Sequence, residues 1–426
     1  MTIIIDGTVG ANKAVVLDSS GKLPTIDGSL VTTLNATQVT TGTIATARLD
    51  TGTTTGKVLV LDGSGNMPAI AAGSMTGVSS ATKSASDPTI STNPSTGLGT
   101  KWINTTSGEI YILTDATAGA NVWTSTGGTS GDVVPIKYTG DRGCFPGGFV
   151  SNVGNSNVID YVAIPTLGNA VDFGDLTVGR QSSASCSNGA RGLCAAGQSS
   201  KSIDYWAFST LGNAADFGDL DNGTASWYGP AGASNGIRGV FMGGTNGSSA
   251  KTNLIDYVTI ATLGDSTDFG NITTALNTAT AMASLTRALI AGGNTGSVTN
   301  TIEYITVANT GNATDFGDLT QAKNHSGACS SLTRGIVAGG TTGSPVNVIE
   351  YVTMATTGNA IDFGDLTGTD HNGTSGLGNV TRGLFAGGSS PQHNRIDYIT
   401  IATLGAAAAF GDMSVTRQYA YGCSGD

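Results

Sequence analysis

Three histidines and five cysteines are the residues of this chain best suited to metal binding or redox chemistry. A copper site would need several His or Tyr ligands close together. The histidines, His325, His371 and His393, fall in three different copies of an internal repeat, so we expect them to lie apart. The sequence therefore predicts no metal site and no cofactor.

The cysteines follow the same repeat. Cys186, Cys329 and Cys423 occupy one position in three of its copies. The other copies have only apolar residues there, namely Ala233, Met282 and Leu377. A position that accepts only apolar residues is typical of a buried core, where a free cysteine behaves as a small hydrophobe. Without any CxxC pair, we predict neither a zinc site nor a disulfide framework.

An arginine and an acid also recur once per copy. The arginines are Arg142, Arg191, Arg238, Arg287, Arg334 and Arg382, and the acids are Asp160, Asp204, Asp256, Glu303, Glu350 and Asp397. Two such rings could bind an anion in a central channel, but one ion pair per copy explains them better, because residues present in every copy usually build the copy. No combination of nucleophile, base and acid emerges, so we expect a protein that is not an enzyme.

The repeat itself predicts the fold. Each of its six copies has an Arg-Gly strand (Arg-Ala once) ending in glycine, an Ile-Asp-Tyr or Ile-Glu-Tyr strand and a Phe-Gly-Asp or Phe-Gly-Asn strand. The six tyrosines, Tyr161, Tyr205, Tyr257, Tyr304, Tyr351 and Tyr398, are spaced 44, 52, 47, 47 and 47 residues apart by subtraction. Units of about 40–50 residues built from short strands are typical of β-propeller blades. We predict an all-β, six-bladed propeller over residues 133–426.

The C-terminal tail predicts how this propeller closes. Residues 417–424 align with residues 180–187, which lead directly into the second Arg-Gly strand. The first Arg-Gly strand, which starts at Arg142, has no such segment before it. We therefore expect residues 413–424 to supply the inner strand of the first blade, which would remove two exposed sheet edges.

The repeat resembles the kelch repeat, with Asp-Tyr in place of Tyr-Asp and Phe in place of the usual Trp. The resemblance covers about 285 residues. Kelch propellers mostly bind proteins or glycans, and a minority are copper oxidases. The resemblance therefore implies a binding function, since the histidines do not favour the oxidase alternative.

Composition narrows the class of protein. Only 12% of the residues are charged and 64 of 426 are glycine, against about 25% charged in ordinary globular domains. The net charge of −11 disfavours nucleic acid and anionic membranes as partners. No signal peptide or membrane-spanning run is evident. These features favour an extracellular or virion protein that is made in a host cytoplasm and released by lysis.

The first 126 residues are also repetitive. The Lys13–Pro24 segment recurs as Lys57–Pro68, each copy being a strand, a Ser/Gly-rich turn and a short continuation. These phrases resemble the shaft and virion-attachment region of bacteriophage tail fibres, especially those of marine phages. The resemblance implies a homotrimer attached through its N-terminus to other phage tail or virion proteins. We predict an extended β-rich shaft over 1–78, a linker over 79–94, a small β-hairpin module over 95–126 and a hinge over 127–132.

Two rims of the predicted propeller differ. The turns between the Tyr and Phe strands are nearly invariant, and we call this side the turn rim. The loops after the glycine-ended strands and the links between blades form the variable rim. Variable loops on a rigid scaffold usually carry binding specificity. Candidate ligand-binding residues there are Asn152, Asn155, Lys201, Trp227, Tyr228, Asn246, Lys251, Asn294, Thr342, Gln392 and His393.

These loops offer amides, hydroxyls and glycines, which suit hydrogen bonding to sugars. Trp227 and Tyr228 could stack on a pyranose ring, or could plug the propeller or a subunit contact. We expect a phage tail fibre or receptor-binding protein whose head recognises a host surface polysaccharide or protein. The alternatives are a structural virion component, such as a head fibre or tail adaptor, and an enzyme acting on a polysaccharide.

Overall fold

The computed structural model describes residues 81–126, 139–197, 200–220 and 226–426. The predicted shaft (1–78) and hinge (127–132) lie outside the described residues. The chain divides into two units after Val134. All of the regular secondary structure described is strand, and this part of the chain contains no helix that could span a bilayer. The prediction of an all-β protein is confirmed.

The first unit contains one four-stranded sheet. Its strands are β1 (Thr82–Ser84), β2 (Lys101–Asn104), β3 (Ile110–Asp115) and β4 (Val122–Ser125), in that order. The predicted hairpin is present, because β2 and β3 pair antiparallel. Its turn is fixed by Asn104, whose side-chain oxygen accepts hydrogen bonds from the N–H groups of Thr106 and Ser107.

The segment 79–94 was expected to be a linker, but its described part, residues 81–94, instead contributes to this sheet. Strand β1 pairs parallel with β2. The indole of Trp102 donates to the Ser86 carbonyl at 2.9 Å, and the Asn121 amide donates to the Thr92 carbonyl at 2.9 Å. A Ser-, Thr- and Pro-rich composition suggested a linker, but these side-chain hydrogen bonds fasten the segment to the sheet.

Six four-stranded antiparallel sheets, numbered here in chain order, make up the second unit. Sheet 1 comprises β32 (Cys423–Gly425), β5 (Arg142–Pro146), β8 (Val158–Ala163) and β9 (Val171–Asp175); sheet 2 comprises β10 (Ala184–Ser187), β11 (Arg191–Ala195), β12 (Ser202–Ala207) and β13 (Ala215–Asp219). Sheet 3 comprises β15 (Ala231–Ser234), β16 (Arg238–Met242), β18 (Thr252–Thr259) and β19 (Thr267–Leu276); sheet 4 comprises β20 (Thr280–Ala283), β21 (Arg287–Ala291), β22 (Thr301–Thr306) and β23 (Thr314–Asp318). Sheet 5 comprises β24 (Gly327–Ser330), β25 (Arg334–Ala338), β26 (Val348–Thr353) and β27 (Ile361–Asp365); sheet 6 comprises β28 (Ser375–Gly378), β29 (Arg382–Gly388), β30 (His393–Thr400) and β31 (Ala408–Asp412). Two small ribbons pair β6 (Phe149–Val150) with β7 (Gly154–Asn155) and β14 (Trp227–Tyr228) with β17 (Thr245–Asn246).

The C-terminal tail completes sheet 1, as the sequence predicted. Strand β32 pairs antiparallel with β5, with Cys423 opposite Cys144. The strand covers Cys423–Gly425, so the predicted range of 413–424 was too long. The residues before it serve a different purpose, because Arg417 and Tyr419 contact neighbouring sheets.

A closed series of backbone hydrogen bonds links the segments that precede the first strand of each sheet. In each segment one residue has a positive φ of 51–76°, and its N–H donates to the equivalent carbonyl of the preceding sheet at 2.8–3.1 Å. In order, the series is Ser182 to Tyr419, Gly229 to Ser182, Thr278 to Gly229, His325 to Thr278, Gly373 to His325 and Tyr419 to Gly373. Each of the six sheets is thus joined to two neighbours, and the last is joined to the first.

The Arg-Gly glycine has a packing role. A Cβ atom on Gly239 would lie 2.6 Å from the Sγ of Cys186, and one on Gly383 would lie 2.5 Å from the Sγ of Cys329. The apolar position that Cys186 and Cys329 occupy therefore packs on the Arg-Gly glycine of the next sheet. The single Arg-Ala copy fits this rule, since the sheet before it has the small Ala233, which shares an apolar cluster with Ala288.

The turn rim is built from contacts between sheets. In each turn a glycine N–H donates to the carbonyl of the Phe in the preceding sheet, as from Gly212 to Phe173 at 2.9 Å. In five turns the residue after this glycine is Asn or Asp, and its side-chain oxygen accepts a second hydrogen bond. The donor is the N–H of the residue after Phe-Gly in the preceding sheet, as from Asn271 to Asn312 at 3.0 Å. These hydrogen bonds explain why the turns are nearly invariant.

We expect Gly239→Ala to lower the free energy of unfolding by about 1–3 kcal/mol, the usual cost of overpacking. Adding Cys186→Ala should recover most of this loss. Positions 186 and 239 would then both be alanine, like the natural pair Ala233 and Ala288, which pack together. Urea unfolding of the single and double variants, with Cys186→Ala alone as control, measures the coupling between the two sites. Equal loss in the single and double variants would contradict the packing rule.

Position 406 offers a second test. The turn of sheet 6 has Ala406 where the other turns have Asn or Asp, so it has no side-chain acceptor for the Asp365 N–H. Ala406→Asn should raise the free energy of unfolding by about 0.5–1.5 kcal/mol, and Asn312→Ala should lower it by a similar amount. Thermal unfolding checks both; a destabilised Ala406→Asn protein would show that sheet 6 cannot accommodate this hydrogen bond.

Candidate functional site

The recurring arginines and acids do not pair with each other, so the predicted ion pair within each repeat was wrong. Each arginine lies over the tyrosine of its own sheet, with its guanidinium carbon 4.6–5.3 Å from the ring centroid. The guanidinium also donates to a carbonyl of the next sheet, as Arg191 does to Ile260 at 2.9 Å. Arg382 of sheet 6 donates to Ile164 of sheet 1 at 2.7 Å. The arginines therefore join neighbouring sheets on the turn rim.

The buried acids have other partners, which the sequence analysis missed. Asp204 pairs with Arg180 at 2.9 Å, Asp160 with Arg417 at 3.0 Å and Glu350 with Lys323 at 2.7 Å. All six side chains are fully buried. The three cations lie seven residues after the Phe of their own repeat copies, and that constant spacing was the signal available in the sequence. Each pair links an inter-sheet segment to the third strand of the next sheet.

Three copies lack this pair. Before sheet 3 the equivalent position is Thr224, which lies outside the described residues. Leu276 occupies the cation position before sheet 4, and Glu303 there accepts hydrogen bonds from the N–H and hydroxyl of Thr273. Before sheet 6, one extra residue separates Phe363 from His371, whose Nε2 lies 3.5 Å from Asp397. Burial disfavours the Asp397 carboxylate, but hydrogen bonds from His371 and Thr367 outweigh it and lower the pKa.

His371 and His393 lie together, contrary to the prediction that all three histidines are apart. Their ring centroids are 5.1 Å apart, next to Asp370 and Arg395. His325 is separate and packs on Tyr419, with ring centroids 4.9 Å apart. The prediction failed because His371 lies in the link before sheet 6 and His393 begins a strand of the same sheet.

Several candidate ligand-binding residues have structural contacts. Trp227 is fully buried and donates to the Gly243 carbonyl at 2.6 Å, so it cannot stack on a ligand in this conformation. Tyr228 is half-buried in the ribbon with Thr245. Gln392 connects two loops, donating to the Phe149 carbonyl and accepting the Ser151 N–H. Of the two roles considered for Trp227, stacking on a ligand is therefore contradicted by its burial.

The other candidates lie in the loops of the variable rim. Asn152, Asn155 and Thr342 are exposed. Asn246, Lys251 and Asn294 are half-buried, and the side-chain oxygens of Asn246 and Asn294 accept N–H groups of their own loops. Lys201 forms an exposed ion pair with Asp219 at 3.2 Å. These residues come from different sheets and do not converge on one pocket.

A narrow central cavity of about 80 Å³ lies among the first strands of the sheets. Its lining is small and mostly neutral, and includes Cys186, Ser234, Ser330 and Ser424. The serine hydroxyls are engaged with neighbouring carbonyls, as Ser330 is with Ala283 at 2.6 Å. Ligand pockets usually measure about 300–1,000 Å³, so this cavity is too small for a sugar chain.

The cysteines are buried free thiols, as expected for core positions. Burial raises the pKa of the Cys144 thiol to about 12 and also raises the pKa values of Cys186, Cys194, Cys329 and Cys423. A thiol that stays protonated is a poor nucleophile and a poor metal ligand. The cysteines therefore serve packing.

We expect Arg180→Met to lower the free energy of unfolding by about 3–5 kcal/mol, because it leaves the buried Asp204 carboxylate without its cation. Lys201→Met is the matched control. It breaks a pair whose side chains are 40% and 41% exposed, and exposed pairs contribute about 0–1 kcal/mol. Urea unfolding compares the two variants; similar losses would show that burial does not set the value of the Arg180 pair.

No known protein-family model matches this chain, and no curated protein is significantly similar to it. The arrangement of the described residues separates a rim of contacts between sheets from a rim of exposed polar loops.

Proposed function

We propose that the second unit is a six-bladed β-propeller of the kelch-like type. The proposal is supported by contacts that connect the six sheets in a cyclic order. The positive-φ residues, the arginines and the glycine turns each join every sheet to the next and sheet 6 to sheet 1. Pairing of β32 with β5 completes the first blade from the other end of the chain.

We further propose that this propeller is the receptor-binding head of a bacteriophage tail fibre. The observation that carries the proposal is the division between the rims. The turn rim uses its polar groups to join sheets, whereas the tips of the loops at 247–250, 295–297 and 342–344 are exposed. Exposed loops on a rigid scaffold are the usual place for recognition.

The chemistry of the exposed tips favours a carbohydrate ligand. The three tips contain mainly Ser, Thr and Gly, with no charged and no aromatic side chain. Such residues offer hydroxyl and amide groups for hydrogen bonds to sugars and little apolar area for a hydrophobic partner. The ligand would lie across the rim, since the central cavity is too small to admit it. We propose a host surface polysaccharide, with a surface protein as the alternative receptor.

The proposed head fits a fibre in one further respect. The chain enters sheet 1 on the turn rim. There the backbone N–H of Ile164 donates to the backbone carbonyl of Asp141, the residue before β5. The variable rim is thus the side of the propeller away from the entry point. We propose that residues 1–78 form the trimeric shaft and attach to other virion proteins, on the resemblance to tail-fibre shafts. The product would then be located in the virion.

A structural role in the virion is the second candidate function. It is favoured by large apolar side chains exposed on the turn rim. Leu167, Leu211, Leu263 and Leu404 are 58%, 58%, 56% and 54% exposed at equivalent turns. Four exposed apolar side chains on one rim suit contact with another protein. In that case the turn rim, and not the variable rim, would be the functional surface.

Substitutions on the two rims distinguish the candidates. We expect Ser248→Arg, Thr295→Arg and Thr342→Arg, combined in the full-length protein, to reduce binding to host surface polysaccharide more than 10-fold by blocking the loop tips. Leu211→Arg and Leu263→Arg are the matched controls on the turn rim and should leave this binding unchanged. Binding is measured by surface plasmon resonance on the immobilised polysaccharide and by pull-down with host cells.

The two candidate functions predict different outcomes. If the turn-rim variants abolish assembly into virions while the loop variants leave both binding and assembly unchanged, the structural role is favoured. If the folded wild-type protein binds neither cells nor polysaccharide, the receptor-binding proposal is contradicted. Circular dichroism establishes that each variant is folded.

A further inference from the structure

The group formed by Asp370, His371 and His393 has the donor atoms of a metal site. One ligand atom from each residue lies within 4.8 Å of those from the other two. The Nε2 of His393 is 3.6 Å from an oxygen of Asp370, and the Nε2 of His371 is 4.0 Å from the other oxygen. Neighbouring ligands of a tetrahedral zinc ion are about 3.4 Å apart. Small side-chain movements would therefore bring these donors into place.

His371 differs chemically from the residues at equivalent positions. Arg180, Lys323 and Arg417 are permanent or strongly basic cations and have no lone pair to offer a metal in that state. A neutral imidazole has one. His371 is also fully buried, and among the described residues the Nδ1 atoms of His371 and His393 have no hydrogen-bond partner. The proton of each neutral ring can therefore lie on Nδ1, which leaves the Nε2 lone pair for a metal. The Nε2 atoms face Asp370, and a metal would replace their contacts with Arg395 and the Asp370 carbonyl.

Arg395 now supplies the positive charge between these groups. Its guanidinium donates to Asp370 at 2.6 Å and lies 3.0 Å from the Nε2 of His371. The Arg395 side chain is 29% exposed, so it can move toward solvent without crossing the core. A divalent cation in its place would face Asp370 and the buried Asp397, which lies 3.5 Å from His371. Exchange of one cation for another keeps both carboxylates compensated.

We propose that Asp370, His371 and His393 bind a divalent transition metal of the zinc class when Arg395 turns outward. Two imidazoles and one carboxylate are a ligand set that suits Zn²⁺, Co²⁺ and Ni²⁺, whereas Mg²⁺ and Ca²⁺ prefer oxygen ligands alone. Water would complete the coordination. The bound ion would connect the link before sheet 6 to the start of β30, next to the loop that Gln392 joins to sheet 1.

Titration of the full-length, chelator-treated protein tests the site. We expect Co²⁺ to give visible d–d absorption bands that Zn²⁺ displaces, and Mg²⁺ to have no effect. Asp370→Asn and His393→Ala should each weaken Zn²⁺ binding at least about 10-fold, since even outer-shell changes can cost that much. Arg395→Gln should strengthen it about 10-fold by removing the competing charge. These three side chains are partly exposed, so the variants should fold.

His325→Ala is the matched control, because it removes a histidine outside the group and should leave the affinity unchanged. Calorimetry gives the affinities, and circular dichroism with thermal unfolding establishes that each variant is folded. Absence of Zn²⁺ binding at about 1 mM metal, equivalent to only about 4 kcal/mol, would overturn the proposal. Binding that survives both Asp370→Asn and His393→Ala would overturn it as well.

Discussion

The closed series of six backbone hydrogen bonds, from Ser182 through Tyr419 and back, is the constraint on which the second unit depends. Four of its six residues are not glycine, yet all have a positive φ. Left-handed backbone costs a non-glycine residue about 1–2 kcal/mol, so each such residue must be held by its surroundings. A buried pair formed two residues earlier supplies that hold in three segments, where Arg180, Lys323 and Arg417 meet the acid of the next sheet.

This cyclic constraint explains which residues repeat. A group that joins every sheet to the next has to recur in every copy. Three groups meet that condition: the arginines that lie over tyrosines, the carbonyls of the Phe-Gly phenylalanines and the turn glycines that donate to them. Where a copy departs from the rule its partner adapts, as when Ala288 replaces glycine opposite the small Ala233. Residues at the exposed loop tips, such as Ser248 and Thr295, do not join sheets and are free to differ.

The same distinction sets what the sequence could predict. Periodicity located the strands, the buried cysteines and the closing tail, because each occupies a fixed position in the repeat. Ion-pair partners were assigned wrongly because they cross between copies, so Asp204 meets Arg180 of the preceding link and not Arg191 of its own sheet. One inserted residue before His371 hid its equivalence to Arg180 and its closeness to His393. In the first unit, composition could not reveal that Trp102 and Asn121 would hold the Ser-rich segment.

The junction of sheets 6 and 1 also bears on where the proposed receptor would bind. Loops beside the junction of sheets 6 and 1 are occupied: Gln392 bonds Phe149 and Ser151, and Phe149 pairs with Gln418. These contacts hold together a junction formed by two distant parts of the chain, so their polar groups are not free for a ligand. Among the described residues, the exposed tips away from that junction belong to sheets 3, 4 and 5. We therefore centre the proposed receptor surface on those three sheets, on the side of the unit away from its closure.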